Sequence, residues 1–173
     1  MELAAHVGSR LRELRKVRGW SLSELARRSG IGKGTLSELE SGGRNPTLET
    51  LYALTTALGT PLSTVLQGFA PTTAGISGQA VDAVLTERLE DDAAVTETYR
   101  IRIRAGIIQE SAAHTPGTTE HIIVLAGTAR VGPRTAPVTV GPGRHSGWAA
   151  DVPHLYHAPS TDAEALLTVR YPH

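Results

Sequence analysis

The stretch SLSELARRSGIGKGTLSELESG, Ser21 to Gly42, decides the fold of the first part of this chain. Ser21 has the side chain of a helix N-cap, and Glu24 three residues on completes a capping box. Leu22, Leu25 and Ala26 make one apolar stripe at helical spacing. Ser29-Gly30 stops that helix, because Gly accepts a left-handed C′ conformation at no steric cost. Ile31 plugs the turn, Gly32 caps a second helix, and Leu36 and Leu39 give that helix an inner face. Its outer face carries Lys33, Thr35, Ser37 and Glu38. A helix, a short Gly-containing turn and a second helix with a small polar face form a helix-turn-helix pattern.

Upstream, a helix is predicted over His6 to Arg18, with Val7, Leu11, Leu14 and Val17 inward. Its outer side is basic, at Arg10, Arg12, Lys16 and Arg18, and reads equally as a solvated face. Gly19 ends it, and Trp20 is expected to pack at its foot. Downstream, Gly42-Gly43-Arg44-Asn45-Pro46 is a loop by its turn residues. Thr47 caps a fourth helix with Leu48, Leu51, Leu54, Ala57 and Leu58 inward, closed by Gly59. Thr60-Pro61 opens a fifth, with Leu62, Val65 and Leu66 inward. Residues 1–68 therefore read as an all-α domain of five short helices.

Residues 69–79 carry no charge and no periodicity, and their Gly, Pro, Ser and Thr content reads as a linker. From residue 80 the texture changes to period two. Val95, Glu97, Tyr99, Ile101 and Ile103 alternate with Thr96, Thr98, Arg100, Arg102 and Arg104, as in a half-buried strand. Ile107-Ile108, His121–Ala126, Val138–Val140 and Leu166–Val169 are further strands, punctuated by Gly and Pro. Many short strands with regular turns imply an antiparallel sandwich or barrel over 80–173. The fold class is thus α+β in two domains.

The chain has 173 residues and a net charge of zero, which at first argues against a nucleic-acid partner. The mean hides a split. Residues 1–68 hold nine Lys/Arg against six Asp/Glu, a net of +3, and the remainder holds eight against eleven, a net of −3. No apolar run approaches the ~20 residues of a membrane span. With no cysteine there are no disulfides and no thiolate metal ligands. The expectation is a cytoplasmic protein without a membrane partner.

Residues 10–66, from RLRELRKVRGWSLSELARRSG through KGTLSELESGGRNPTLETL to TPLSTVL, resemble the DNA-binding domain of the Xre-type, lambda-repressor-like bacterial regulators. That resemblance implies a double-stranded DNA operator as partner. It places Lys33, Gly34, Thr35, Ser37 and Glu38 toward the bases, Ser21 toward a phosphate, and Arg44 and Asn45 in the adjoining contact loop. Arg15 and Glu40 match a pair that bridges helices in relatives. Helix N-termini bind phosphate oxygens, and Lys33 can reach a guanine edge. Gly34 stands where relatives often carry a base-reading side chain, and Leu22 where some carry Gln. Glu38 is acidic on the DNA face and is either a specificity element, accepting from a cytosine N4, or a solvated residue.

Two stretches of the second half, GIIQESAAHTPGTTEHIIVLAG from Gly106 and VGPGRHSGWAADVPHLYHAPS from Val140, resemble the two motifs of a cupin β-barrel. The resemblance implies a site at His114, Glu120 and His154. The second His of the first motif is missing, with Pro116 in its place, and Arg144 replaces an acidic residue of the second motif. Two imidazoles and a carboxylate can hold a divalent metal ion. The same three residues, walled by Trp148 and Tyr156, can instead line a polar pocket that binds a small-molecule effector. The functional expectation is a homodimeric transcriptional regulator, not an enzyme, with a barrel that senses an effector and carries dimer contacts. The alternatives are a cupin metalloenzyme with an accessory DNA-binding head, or a barrel that only dimerises.

Overall fold

The structure, a computed structural model, describes residues 2–66 and 75–173. The chain divides into two compact units, residues 1–70 and 71–173. Of the expected linker, residues 69–74 lie outside the described residues. Its last part does not behave as linker: Ile76–Ser77 is strand β1, paired with Asp82 and Ala83, and Ile76 is buried. A β-branched residue that buries its side chain on a sheet edge wins over the turn-forming residues around it.

The first unit has five helices: α1 (Glu2–Val17), α2 (Leu22–Ser29), α3 (Lys33–Glu40), α4 (Leu48–Leu58) and α5 (Ser63–Leu66). Helix α1 begins four residues earlier than predicted, because Ala4 extends its buried face. That face is Ala4, Val7 and Leu11, with Leu14 half-buried. Val17, expected inward, is 83% exposed. It lies about 100° around the helix from the centre of the stripe, so a spacing of three at the end carries it off the core. Helix α1 closes in a Schellman turn, Gly19 N–H donating to Lys16 O at 2.9 Å and Trp20 N–H to Arg15 O at 3.1 Å. Helix α4 closes the same way at Gly59 and Thr60, satisfying Thr56 O and Thr55 O. Trp20 is half-buried, with the Arg28 guanidinium 4.4 Å and that of Arg18 5.9 Å from its ring.

The capping box of α2 forms only in part. Ser21 Oγ accepts from Glu24 N–H at 3.1 Å, but the Glu24 carboxylate turns to Arg27 and Arg28 instead of back to the cap. Two guanidiniums one turn away offer charge-assisted bonds that a single backbone N–H cannot match. Leu25, Ala26, Leu36, Leu39, Leu48, Leu51, Leu54, Leu58, Leu62, Val65 and Leu66 complete the core. Helices α1 and α3 meet so closely that a Cβ on Gly8 would stand 2.2 Å from Leu39 O.

The second unit is an antiparallel barrel of two sheets, ordered β1-β2-β3-β10-β5-β8 and β4-β9-β6-β7. Its strands are β1, β2 (Val81–Glu90), β3 (Ala94–Ile103), β4 (Ile108–Ser111), β5 (Thr119–Ala126), β6 (Ala129–Pro133), β7 (Val138–Val140), β8 (His145–Ala149), β9 (His154–His157) and β10 (Ala163–Pro172). Strand β3 alternates as predicted, with Glu97, Tyr99, Ile101 and Ile103 inside and Arg100 and Arg102 outside, where they pair with Glu164 and Asp162. The inner face is completed by Ile122 and Val124 of β5 and Leu167 and Val169 of β10. Between β5 and β6 the chain turns at Gly127, φ +73°, where a Cβ would stand 2.4 Å from Asp162 O; only Gly fits.

Candidate functional site

Two separate groups of residues have the geometry of sites, one in each unit. In the helical unit, Lys33, Gly34, Ser37 and Glu38 of α3 are exposed and Thr35 is half-buried. The loop residues Arg44 and Asn45 are exposed as well. Leu36 and Leu39 face the core, so the helical period turns Gly34 and Glu38 directly outward. Arg44 Nη1 stands 3.6 Å from Glu38 Oε2, so the acidic residue of this face sits beside a cation that can offset its repulsion of phosphates. Among the described residues nothing lies within 4 Å of where a Gly34 Cβ would be, so the backbone of α3 is open to close approach there.

Arg15 and Glu40 are half-buried structural partners. Arg15 Nε and Nη2 donate to the two Glu40 oxygens at 2.7 Å each, and Nη1 donates to Trp20 O at 2.8 Å. The Glu40 hydrogen bond outweighs burial and raises the Arg15 pKa. Beside this pair is a cleft of about 270 Å³, lined by Arg12, Arg15, Leu22, Ser37, Glu40 and Ser41. The basic face of α1 marks Arg12, but nothing in the local spacing shows that α3 closes a cleft against it.

In the barrel, His114, Glu120 and His154 converge as the two motifs imply. His114 lies in the loop before β5, whose backbone is tied down by His114 N–H to Ala150 O at 2.9 Å and Ala150 N–H to Thr118 O at 2.8 Å. Glu120 projects inward from β5, opposite Trp148 of β8. His154 opens β9, with Tyr156 two residues on and therefore on the same face. Glu120 and His154 are fully buried, and His114 is 5% exposed. Three ligand atoms, one from each, lie within 4.8 Å of one another.

Hydrogen bonding specifies what this cluster can do. His114 Nε2 lies 2.9 Å from Glu120 Oε1, and Tyr156 Oη donates to Glu120 Oε2. His154 Nδ1 lies 2.9 Å from the carbonyl of Val152, which makes it the donor and leaves Nε2 facing the cluster. Nε2 is 3.5 Å from Glu120 Oε2 and has no hydrogen bond among the described residues. Trp148 Nε1 is likewise buried with no hydrogen-bond partner among the described residues. Burial pushes the Glu120 carboxyl up, but His114 and His154 outweigh it and hold it below the usual carboxylate range. Burial pulls His154 down, and Glu120 more than reverses this, so its pKa is raised. The rings of His154, Trp148 and Tyr156 pack at 5.8–6.4 Å between centroids.

The donor set fits a divalent ion: an imidazole with its far nitrogen anchored, a second imidazole, and a carboxylate, all buried. His121, His145 and His157 do not join it. His121 and His157 each follow an inward residue in their strands and so face out, and His145 is exposed. A second buried carboxylate, Glu97, accepts from Tyr99 Oη at 2.5 Å. It sits across β10 from Glu120, both flanking Val169. The strand alternation marks Glu97 as inward, but its place in the same row as Glu120 depends on strand order.

A helix-turn-helix head followed by a β-barrel in which two histidines and a glutamate meet inside is the plan of a two-part DNA-binding regulator. A helix-turn-helix family model matches residues 11–65. The chain is 32% identical over 156 residues to the HTH-type transcriptional regulator SutR of Escherichia coli, covering 89% of this chain and 88% of that one. It belongs to that family of HTH-type transcriptional regulators. The head alone is 46% identical over 59 residues to an uncharacterised HTH-type regulator, y4dJ, of Sinorhizobium fredii, covering 34% of this chain and 77% of that one. Among solved structures, an HTH_3 family transcriptional regulator from Vibrio cholerae superposes with a TM-score of 0.89 at 25% identity, covering 99% of this chain and 98% of that one.

Proposed function

We propose that this regulator binds its operator as a homodimer and that the barrel senses a small-molecule effector. The observation that carries the DNA-contact assignment is the exposed polar face of α3. Lys33, Gly34, Thr35, Ser37 and Glu38 form the reading surface, with Arg44 and Asn45 beside it and Ser21 toward a phosphate. In a dimer, two such helices meet half-sites about 34 Å apart. The half-exposed Ile123 and Leu125 on the outer face of β5 support a dimer contact through the barrels. Such a protein works in the cytoplasm, where the operator is. If Lys33→Ala combined with Arg44→Ala left binding to an in vitro-selected operator unchanged, this surface would be misassigned.

The effector site is His114, Glu120, His154, Trp148 and Tyr156. What supports it is Trp148 Nε1, buried with no hydrogen bond among the described residues at a cost of roughly 1–3 kcal/mol, beside His154 Nε2, which comes no closer than 3.5 Å to Glu120 Oε2. An effector shifts operator affinity only as far as it binds the two arrangements of the dimer differently. His114, Glu120 and His154 would hold a divalent ion if the site takes one, and that ion would supply positive charge and open coordination positions for an oxygen-bearing ligand. The chain itself supplies the walls: Trp148 Nε1–H offers a donor, Tyr156 fixes one carboxylate oxygen, and Val152 O fixes the His154 tautomer. We read the barrel as a sensor and not a catalyst, in keeping with the regulators it resembles. Metal analysis of protein purified without chelators, followed by turnover assays on the loaded protein, separates sensor from metalloenzyme.

A further inference from the structure

We propose that Tyr156 is a fourth protein ligand beside His114, Glu120 and His154, bound as its phenolate, and that the site so completed takes ferric iron. This rests on reading the barrel cluster as an ion site, and it adds a ligand and names the ion. Two imidazoles and one carboxylate leave an ion short of the four protein ligands of a closed site. Tyr156 Oη donates to Glu120 Oε2, and His154 Nε2 stands 3.5 Å from that same oxygen. At the other oxygen, His114 Nε2 lies 2.9 Å from Glu120 Oε1. Donors held about 2.0–2.2 Å from one ion lie roughly 3–3.5 Å from one another. The two His contacts have that spacing. The Tyr156 hydroxyl lies closer to the carboxylate because the two share a proton.

Other buried groups of the barrel fail as the fourth ligand for separate reasons. Trp148 Nε1–H can only donate. Gln109 Oε1 already accepts from Ala80 N–H and Val81 N–H at 2.9 Å each. Glu97 lies two strands away from Glu120, roughly 9–10 Å by strand spacing, and accepts from Tyr99 Oη. Tyr156 is buried, shares its face of β9 with His154, and has its ring 5.8 Å from that imidazole. When the ion enters, the Tyr156 O–H bond breaks, a metal–oxygen bond forms and the proton leaves to solvent. No electron is transferred. Two anionic oxygens and two neutral imidazoles, with no thiolate, are a donor set for a hard ion, and phenolate oxygen serves as a ligand to iron in haem proteins.

The test uses the full chain, purified without chelators, loaded with ferric nitrilotriacetate and desalted. The wild type should retain stoichiometric iron and show a visible phenolate-to-iron charge-transfer band, which imidazole and carboxylate ligands do not give. Tyr156→Phe should lose the band and bind iron at least about tenfold more weakly, since losing even an outer hydrogen-bond partner of a ligand costs that much. Tyr171→Phe, which removes the phenol whose ring lies 6.3 Å from that of His114, should keep the band. Resonance Raman of the wild type, excited in the band, should show phenolate ring modes, which reports ligation even if Tyr156→Phe does not fold. His154→Ala probes the underlying reading and should lose the iron. If the wild type binds iron without a band, Tyr156 is only a hydrogen-bond partner of Glu120, and the proposal is overturned while the ion site stands. Loss of the band in Tyr171→Phe assigns the phenolate to Tyr171 and overturns it equally. Retention of zinc but not of iron assigns a divalent, three-ligand site and refutes the phenolate. If neither metal is retained, the ion-site reading fails as well.

Discussion

Arg15 of α1 and Glu40 of α3 are joined by two parallel hydrogen bonds of 2.7 Å, across 25 residues of chain. The side chains are 12% and 7% exposed. This pair ties the last turn of α3 to α1 and so sets how far α3 stands out from the domain. Removing either partner leaves the other charged and half-enclosed, so Arg15→Ala or Glu40→Ala should cost the head about 3 kcal/mol. The check is urea unfolding followed by Trp20 emission, in a Trp148→Phe background that leaves one indole.

Gly8 and Gly34 make opposite predictions for the same substitution. Both are helical, and Ala is favoured over Gly there by about 1 kcal/mol. Gly34→Ala meets nothing within 4 Å and should stabilise the head by up to that amount. Gly8→Ala drives a methyl to 2.2 Å from Leu39 O, against backbone that cannot yield locally. It should instead destabilise by roughly 1–3 kcal/mol through overpacking. Paired melting curves of the two variants check both signs.

The α2 ion pairs have a defined acid limit. Arg27 and then Arg28 hold the Glu24 carboxyl down to about 2. An unfolded Glu titrates near ~4.3, so the folded value is the lower one. Stabilisation is therefore present above the unfolded value and is lost as pH falls through the folded one. The difference in urea midpoint between wild type and Glu24→Gln should be constant above about pH 5 and close as pH falls toward about 2. A gap that stayed open in strong acid would refute this account.

Tyr156→Phe removes the hydroxyl that donates to Glu120 Oε2. The fully buried carboxylate then loses a charge-assisted bond, worth about 2 kcal/mol. The barrel should unfold at lower urea by Trp148 emission in a Trp20→Phe background. The head, monitored separately through Trp20, should not change.

Much of this was legible in the sequence because it is local. Caps, Gly stops and apolar stripes specify the helices from α1 to α4, since each is decided by residues three to five apart. The alternation through β3 is legible for the same reason, whereas His114, Glu120 and His154 are named only by the resemblance of the two barrel motifs to a cupin. Strands β8 and β9, HSGWA and HLYH, carry no clear alternation and become strands only because β5, β4 and β6 offer them hydrogen-bonding edges. Val17 looked inward by spacing alone and is not, because the true stripe is set by where α1 meets its neighbours.

The residues and their spacing thus specify the two-part plan and the exposed face of α3, and the resemblance of the two barrel motifs names the three side chains that converge. Tertiary structure decided their chemistry. Tyr156 reaches the Glu120 carboxylate from β9 and His114 from the loop before β5, Val152 O selects the His154 tautomer, and Trp148 Nε1 has no acceptor among the described residues. It also decided that Arg12, one of several cations on a basic helix face, stands at a cleft where its neighbours' charges are already paired. Hydrogen bonds and ion pairs depend on distances across the fold, and no spacing along the chain encodes them.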